Sequence, residues 1–156
     1  MNDIKTPVRR AAAYEADFYA WSQDQAARLR ELQPSSIDWG NVAEEIESLG
    51  RSDKRAIESD LAVVLLHLLK WRCQPKKRKP GWQSSVTEHR WRIARLLRES
   101  PSLRNYPKEV LAGEYYIARL KAVGETKTDP EVFPLACPFT VDQILDPDFW
   151  PEAAEG

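Results

Sequence analysis

Apolar residues recur along this chain at steps of three and four, and almost nowhere in strict alternation. That period belongs to helices rather than to half-buried strands. Tyr14, Phe18, Trp21, Gln25, Leu29 and Leu32 follow it, predicting a helix of about five turns that ends before Pro34. Asp38 reads as the N-cap of a second helix, with Ile37 and Val42 as a hydrophobic staple around it. Val42, Ile46 and Leu49 make its expected buried stripe, and Gly50 permits a stop or a kink. Ser52 is placed to cap a third helix over 53–73, closed by Pro75. Ser85 and Glu88 have capping-box spacing for a fourth helix over 86–99, ended by Ser100 and Pro101. Pro107 opens a fifth over 107–123, with Gly124 as its stop. Thr140 and Gln143 form a second capping box, for a short helix to Leu145. The remaining tail is punctuated by proline but carries Phe133, Phe139, Phe149 and Trp150, too aromatic for a solvated linker. The expected fold is all-α: one helical domain over 13–151, a bundle of about five helices with the third at its centre. The C-terminal tail packs across it, and residues 1–12 and 152–156 are expected to be flexible.

Helical faces separate core positions from candidate chemistry. The third helix is apolar on most of its circumference except along Asp60, Val63, His67, Lys70 and Gln74. That seam is either a narrow exposed strip or a polar site inside the fold. His67 can act as an acid or base, as a ligand, or as a hydrogen-bonded core residue. Glu45 flanks the apolar face of the second helix, and a carboxylate covered there needs a partner. Arg90 borders the apolar face of the fourth, where it can reach a buried carboxylate such as Glu45 or hold an anionic ligand. Arg92, Arg95 and Arg98 lie on the opposite face, with Trp91 among them. An exposed indole there can stack on a base, anchor a protein partner, or cover its own arginines.

Charge sharpens one of these readings. The net charge is −1, but Lys70 to Arg104 holds eleven lysines and arginines against Glu88 and Glu99, a local balance of +9. From Asp129 onward there are seven acidic residues and no basic one. The basic stretch, including Lys76 to Lys79, either faces acidic elements of the same chain or forms a footprint for nucleic acid or another polyanion. Two cysteines, Cys73 and Cys137, are too few for a disulfide framework or a four-cysteine zinc site. Residues 1–12 contain no apolar run of the kind a secretory leader carries, and the longest apolar run is well short of the roughly 20 residues of a membrane span. A cytoplasmic protein with reduced thiols is expected. No Gly-rich phosphate loop, Gly-x-Ser-x-Gly elbow or His-Glu-x-x-His pair is present, and no cofactor or metal is expected.

Tyr14-Glu-x-Asp17-Phe-Tyr-x-Trp21, the run Val42 to Gly50, the run Leu65 to Trp71 with Gln74-Pro75, Trp82, Arg90, Ile93, the run Ser100 to Leu103, Phe133-Pro134, Cys137 to Thr140 and Asp148 to Pro151 occur together. In this the chain resembles the bacterial domain-of-unknown-function family number twenty-nine, over about 14–151. The resemblance implies an all-helical bacterial protein and brings no reaction, cofactor or catalytic residue with it. In that family's pattern the position of His89 is usually Gln and that of Trp91 is usually polar. Three functions stay open. The first is a small interaction or regulatory module, in a homo-oligomer or with another protein partner. The second is nucleic-acid or polyanion binding through Lys76 to Lys79 and the Arg92, Arg95, Arg98 face. The third is an enzyme, with hydrolysis as one candidate reaction, using His67 as acid or base, Glu45 as orienting group or metal ligand, and Arg90 to hold an anion. Lys70 and Gln74 complete the candidate set.

Overall fold

Asp38 caps a helix that does not stop at Gly50. A computed structural model describes residues 14–32 and 37–154, so the expectations for residues 1–12 and for Pro34 fall outside the described residues. The helices are α1 (Phe18–Glu31), α2 (Trp39–Cys73), α3 (Pro80–Glu99), α4 (Tyr106–Thr126) and α5 (Val141–Leu145). No strand occurs among the described residues. The chain is thus all-α with five helices, but they divide differently from expectation. The expected second and third helices are one 35-residue helix, α2, and Ser52 lies inside it rather than capping anything.

Gly50 is better explained by packing than by termination. A β-carbon there would lie 2.9 Å from the Tyr19 ring and would collide with Ser22 Oγ. Ser22, Ala26, Ala43 and Gly50 are all buried where α1 crosses α2. Small residues let the two backbones approach closely. The cost of glycine within a helix, about 1 kcal/mol relative to alanine, is accepted at that crossing.

This crossing overturns the predicted stripes. Val42 is 37% exposed and Leu49 50%, and in α1 it is Ser22 and Ala26 that are buried, while Tyr14 before the helix and Leu32 at its cap are exposed. Large apolar side chains placed at a close crossing would hold the helices apart, so small ones face inward and large ones turn aside.

The second half of α2 is the centre of the bundle. Leu61, Val64, Leu65, Leu68 and Leu69 are fully buried, against Val86 and Ile93 of α3, Tyr115, Ala118 and Ala122 of α4, and Phe133, Phe139 and Ile144 of the tail. Each fully buried leucine or isoleucine contributes about 1.5–3 kcal/mol. A smaller cluster of Ile57, Leu96 and Leu103 joins α2 to the turn after α3. Asp17 fixes α1 to that turn, accepting from Ala20 N–H at its own helix and from the Ser102 hydroxyl at 2.9 Å.

Two boundaries differ from expectation. Helix α3 opens at Pro80 in the first-turn position that needs no N–H donor, five residues before the proposed Ser85 cap. Helix α4 runs through Gly124 and ends at Lys127, in the left-handed conformation with φ 51°. The Thr140–Gln143 capping box forms as expected.

The tail has no ladder of its own, so its carbonyls need donors from elsewhere. Arg90 Nε donates to Ile144 O at 2.7 Å, and its Nη2 to Gln143 O at 3.2 Å and Phe149 O at 3.0 Å. Arg119 donates to Phe133 O and Pro130 O, and the Tyr115 hydroxyl to Pro134 O. Trp150 rests against Trp71, and Ala154 N–H still donates to Arg72 O at 3.0 Å.

Candidate functional site

The 3, 4, 3, 4 spacing of the α2 seam puts Asp60, Val63, His67, Lys70 and Gln74 along one side of the helix. The seam is mostly covered: Asp60 and Lys70 are buried, and Val63, His67 and Gln74 are partly so. Of the two readings, a polar site inside the fold fits better than an exposed strip.

Each polar member finds a partner from α3, from α4 or just beyond it, with one exception. The Asp60 carboxylate lies 2.6 Å from His89 Nδ1 and 4.0 Å from the Arg92 guanidinium. Lys70 donates to Glu125 at 2.7 Å and sits 4.9 Å from the centre of the Trp82 ring. Gln74 Nε2 donates to Thr128 Oγ1 at 3.2 Å. The exception is His67 Nδ1, which is buried without a protein hydrogen-bond partner. Burial pushes the His67 imidazole below its ordinary range, and the Lys70 ammonium adds to that. Glu125 acts in the opposite direction, and His89 in the same direction as Lys70.

At the end of the seam is a cleft of about 270 Å³, lined by Lys70, Gln74, Lys77, Lys79, Trp82, Glu125 and Thr126. Three lysines against one glutamate give it a positive interior. Trp82 enters the sequence reading only as part of the family resemblance, and Glu125 does not enter it at all, because only the fold brings it to Lys70. His89, at a position where the family pattern usually has Gln, is the group that holds Asp60.

The structure does not assemble the proposed His67, Glu45 and Arg90 cluster. Glu45 is exposed, and 22 residues of continuous helix, about 33 Å, separate it from His67. Arg90 is buried, but it is committed to tail carbonyls and reaches no carboxylate on α2. The pairing of Arg90 with Glu45 is therefore corrected, and with it the shared acid–base site.

The arginine face is also internally committed. Arg92 bonds to Glu88, and Arg95 lies 3.8 Å from Glu99 and 5.3 Å from the centre of the Trp91 ring. Trp91 is 56% exposed, on the rim of the grooves either side of α3, and covers one of its own arginines. Arg98 is exposed at the end of the same helix. Cys73 and Cys137 are free, and burial raises both thiols above their ordinary range. Among the described residues, no three His, Cys, Asp or Glu side chains gather as a metal site would require.

Chemically, then, the seam offers a fixed cationic cleft beside a neutral imidazole, not an arranged nucleophile and base. Among the described residues no helix is long and apolar enough to cross a membrane.

Comparison with known proteins agrees with the fold. The profile of the family described as "Domain of unknown function DUF29" matches residues 13–150. The chain is similar to a crystal structure of an alpha-helical protein of unknown function from Rhodospirillum rubrum, at 25% identity and a TM-score of 0.68. That similarity covers 90% of this chain and 93% of the other. No curated protein matches.

Proposed function

This chain belongs to the family described as domain of unknown function DUF29, so its role is read from its own surface, and we propose that it is an interaction module that pairs with a second copy of itself through the outer flank of α1 and the first half of α2. The observation that carries this is the outward turn of large apolar side chains on that flank. Tyr14, Leu32, Ile37, Val42 and Leu49 are all exposed. Phe18 and Trp21 are only half-buried and form one aromatic cluster with Tyr14.

Helical geometry puts Trp21, Val42 and Leu49 on one side of the α1–α2 pair. At about 100° per residue, Trp21 lies opposite Arg30, and Val42 and Leu49 lie about 160° from Glu44 and Arg51. The opposite side is a charge ladder closed on itself, with Arg30 bonded to Glu44 and Glu47 and Arg51 bonded to Glu44. The two flanks therefore differ sharply in chemistry.

A standard interface takes roughly 800 Å² per partner and is a little over half apolar, so a cluster of exposed apolar side chains on one flank suits its apolar part. The chain itself supplies an occupant of matching chemistry. Two copies related by a two-fold axis would stack their helix pairs into a four-helix arrangement and cover both patches at once.

Light scattering on the purified protein tests this. The expected species has twice the 17.9 kDa chain mass. Val42→Asp combined with Leu49→Asp should weaken pairing at least tenfold, as expected when two apolar anchors are lost. The variant should keep its helical signal, because both positions are exposed in the single chain. Tyr116→Asp, on the exposed face of α4, should leave pairing intact. A monomer at all concentrations up to the millimolar range would overturn the proposal. So would pairing unaltered by the double substitution.

A further inference from the structure

We propose that the cleft where α2 ends, α3 begins and α4 ends is a binding site for a small phosphate-bearing anion, held by Lys70, Lys77 and Lys79. The inference is independent of self-pairing, since the cleft is at the other end of α2 from the apolar flank.

Four arginines of the basic stretch are already spent within the fold. Arg78 donates to Trp71 O at 2.9 Å and lies over the Trp71 ring. Arg90 is held by the tail, Arg92 by Glu88 and Asp60, and Arg95 by Glu99 and Trp91. A nucleic-acid footprint along the arginine face loses those charges to partners within the chain. What gathers in one half-open cleft is the set of lysines lining it.

Lys70 is buried to 7% exposure, and its ammonium is fixed between Glu125 and the Trp82 ring. Lys79 reaches the same ring, 5.9 Å from its centre. With Lys70 at 4.9 Å from that centre, the two ammonium groups lie within about 11 Å of each other. Lys77 lines the cleft as well, and among the described residues neither Lys77 nor Lys79 has a carboxylate partner.

The lining carries three positive charges and one negative, a balance of +2. A phosphate monoester carries about −1.5 to −2 at neutral pH, so the charges match. The Gln74 amide on the wall, which spends one N–H on Thr128, has a second N–H to donate to a phosphate oxygen. A volume of about 270 Å³ suits phosphate with a few attached carbons and is too small for a polymer. Glu125, exposed over half its side chain, already holds Lys70 as a carboxylate and competes with the incoming anion.

Calorimetric titration of the whole protein at fixed ionic strength tests this, with inorganic phosphate, glycerol phosphate and a single-stranded oligonucleotide as separate titrants. Phosphate and its monoester should each bind saturably, one per chain. Lys77→Ala with Lys79→Ala should weaken both at least tenfold. These positions are exposed, so the variant keeps its fold, which Lys70→Met need not do. Glu125→Gln should bind both several-fold more tightly, because a competing carboxylate is gone. Absence of saturable phosphate binding would overturn the proposal, as would equal affinity in the double lysine variant, or binding of the oligonucleotide alone.

Discussion

A missing β-carbon sets the distance between α1 and α2. Alanine at position 50 would gain about 1 kcal/mol of helix propensity. Against that, its methyl group would meet Ser22 Oγ and the Tyr19 ring, and overpacking of this kind costs about 1–3 kcal/mol. Both opposing atoms belong to α1, and Ser22 is fully buried with its hydroxyl bonded to Tyr19 O, so neither yields cheaply. Gly50→Ala should lower the melting temperature by a few degrees, at about 2–4 °C per kcal/mol for a domain of this size. Adding Ser22→Ala should recover part of the loss. A neutral or stabilising Gly50→Ala, read by calorimetry, would mean the crossing is looser than described. His67 makes a second prediction at this scale. Its pKa is lowered in the fold, first by burial and then by Lys70. The unfolded chain therefore takes up the proton first, near pH 6.5. The stability this gives is complete above that pH and drains away as the pH falls from 6.5 through the lower native value. The melting temperature should drop on acidification from pH 7.5 to 5, and His67→Gln should flatten the part of the drop that lies below 6.5. An identical pH profile in the variant would show that His67 is not the group responsible.

Among the elements, the tail depends most on a single side chain. Arg90 supplies donors to Ile144, Gln143 and Phe149 carbonyls at once, and its guanidinium lies 5.6 Å from the centre of the Trp150 ring. Lysine keeps the charge but cannot form that planar fork. Arg90→Lys should cost about 2–4 kcal/mol, since hydrogen bonds from charged donors contribute about 1.5–3 kcal/mol each and do not add fully. The tail should then become sensitive to limited proteolysis while α1–α4 remain resistant. Equal resistance in the variant and the parent would show that the tail is held chiefly by its aromatic contacts. The same elements show what the sequence makes legible. Helical period, the Asp38 cap and the Thr140–Gln143 box depend on neighbours along the chain, and all are visible there. The fusion of two expected helices through Gly50 was hidden, because a glycine needed for a close crossing looks like one that ends a helix. The role of Arg90 was hidden too. Its partners are main-chain carbonyls more than 50 residues away, and carbonyls leave no trace in a sequence. The polar seam on α2 was visible from spacing, but the partners that make it a site come from α3 and from the end of α4.

For the whole molecule, an apolar stripe announces that a face needs cover and says nothing about whose chain provides it. Val42 and Leu49 followed the expected period and were still not covered within their own fold. If a second copy covers them, the melting temperature rises with protein concentration, because folding and pairing are then linked. The charge asymmetry along the chain is bridged at few points among the described residues: Lys70 meets Glu125 from α4 and Arg92 approaches Asp60 of α2, while the Arg92–Glu88 and Arg95–Glu99 pairs lie inside the basic stretch and are already counted in its +9.

Helix α2 joins these regions as one unbroken rod of 35 residues, about 52 Å long. A loop between its two halves would absorb added or lost residues, but a continuous helix cannot. One residue inserted between Gly50 and Ile57 would turn Val42 and Leu49 by about 100° relative to the buried leucines and shift them by about 1.5 Å. The apolar flank would then point elsewhere while the core stayed in place. Substitutions on this stretch can be tolerated one at a time, but its length cannot drift, and lineages of this fold should vary in α2 by replacement and keep their insertions for the connections between helices.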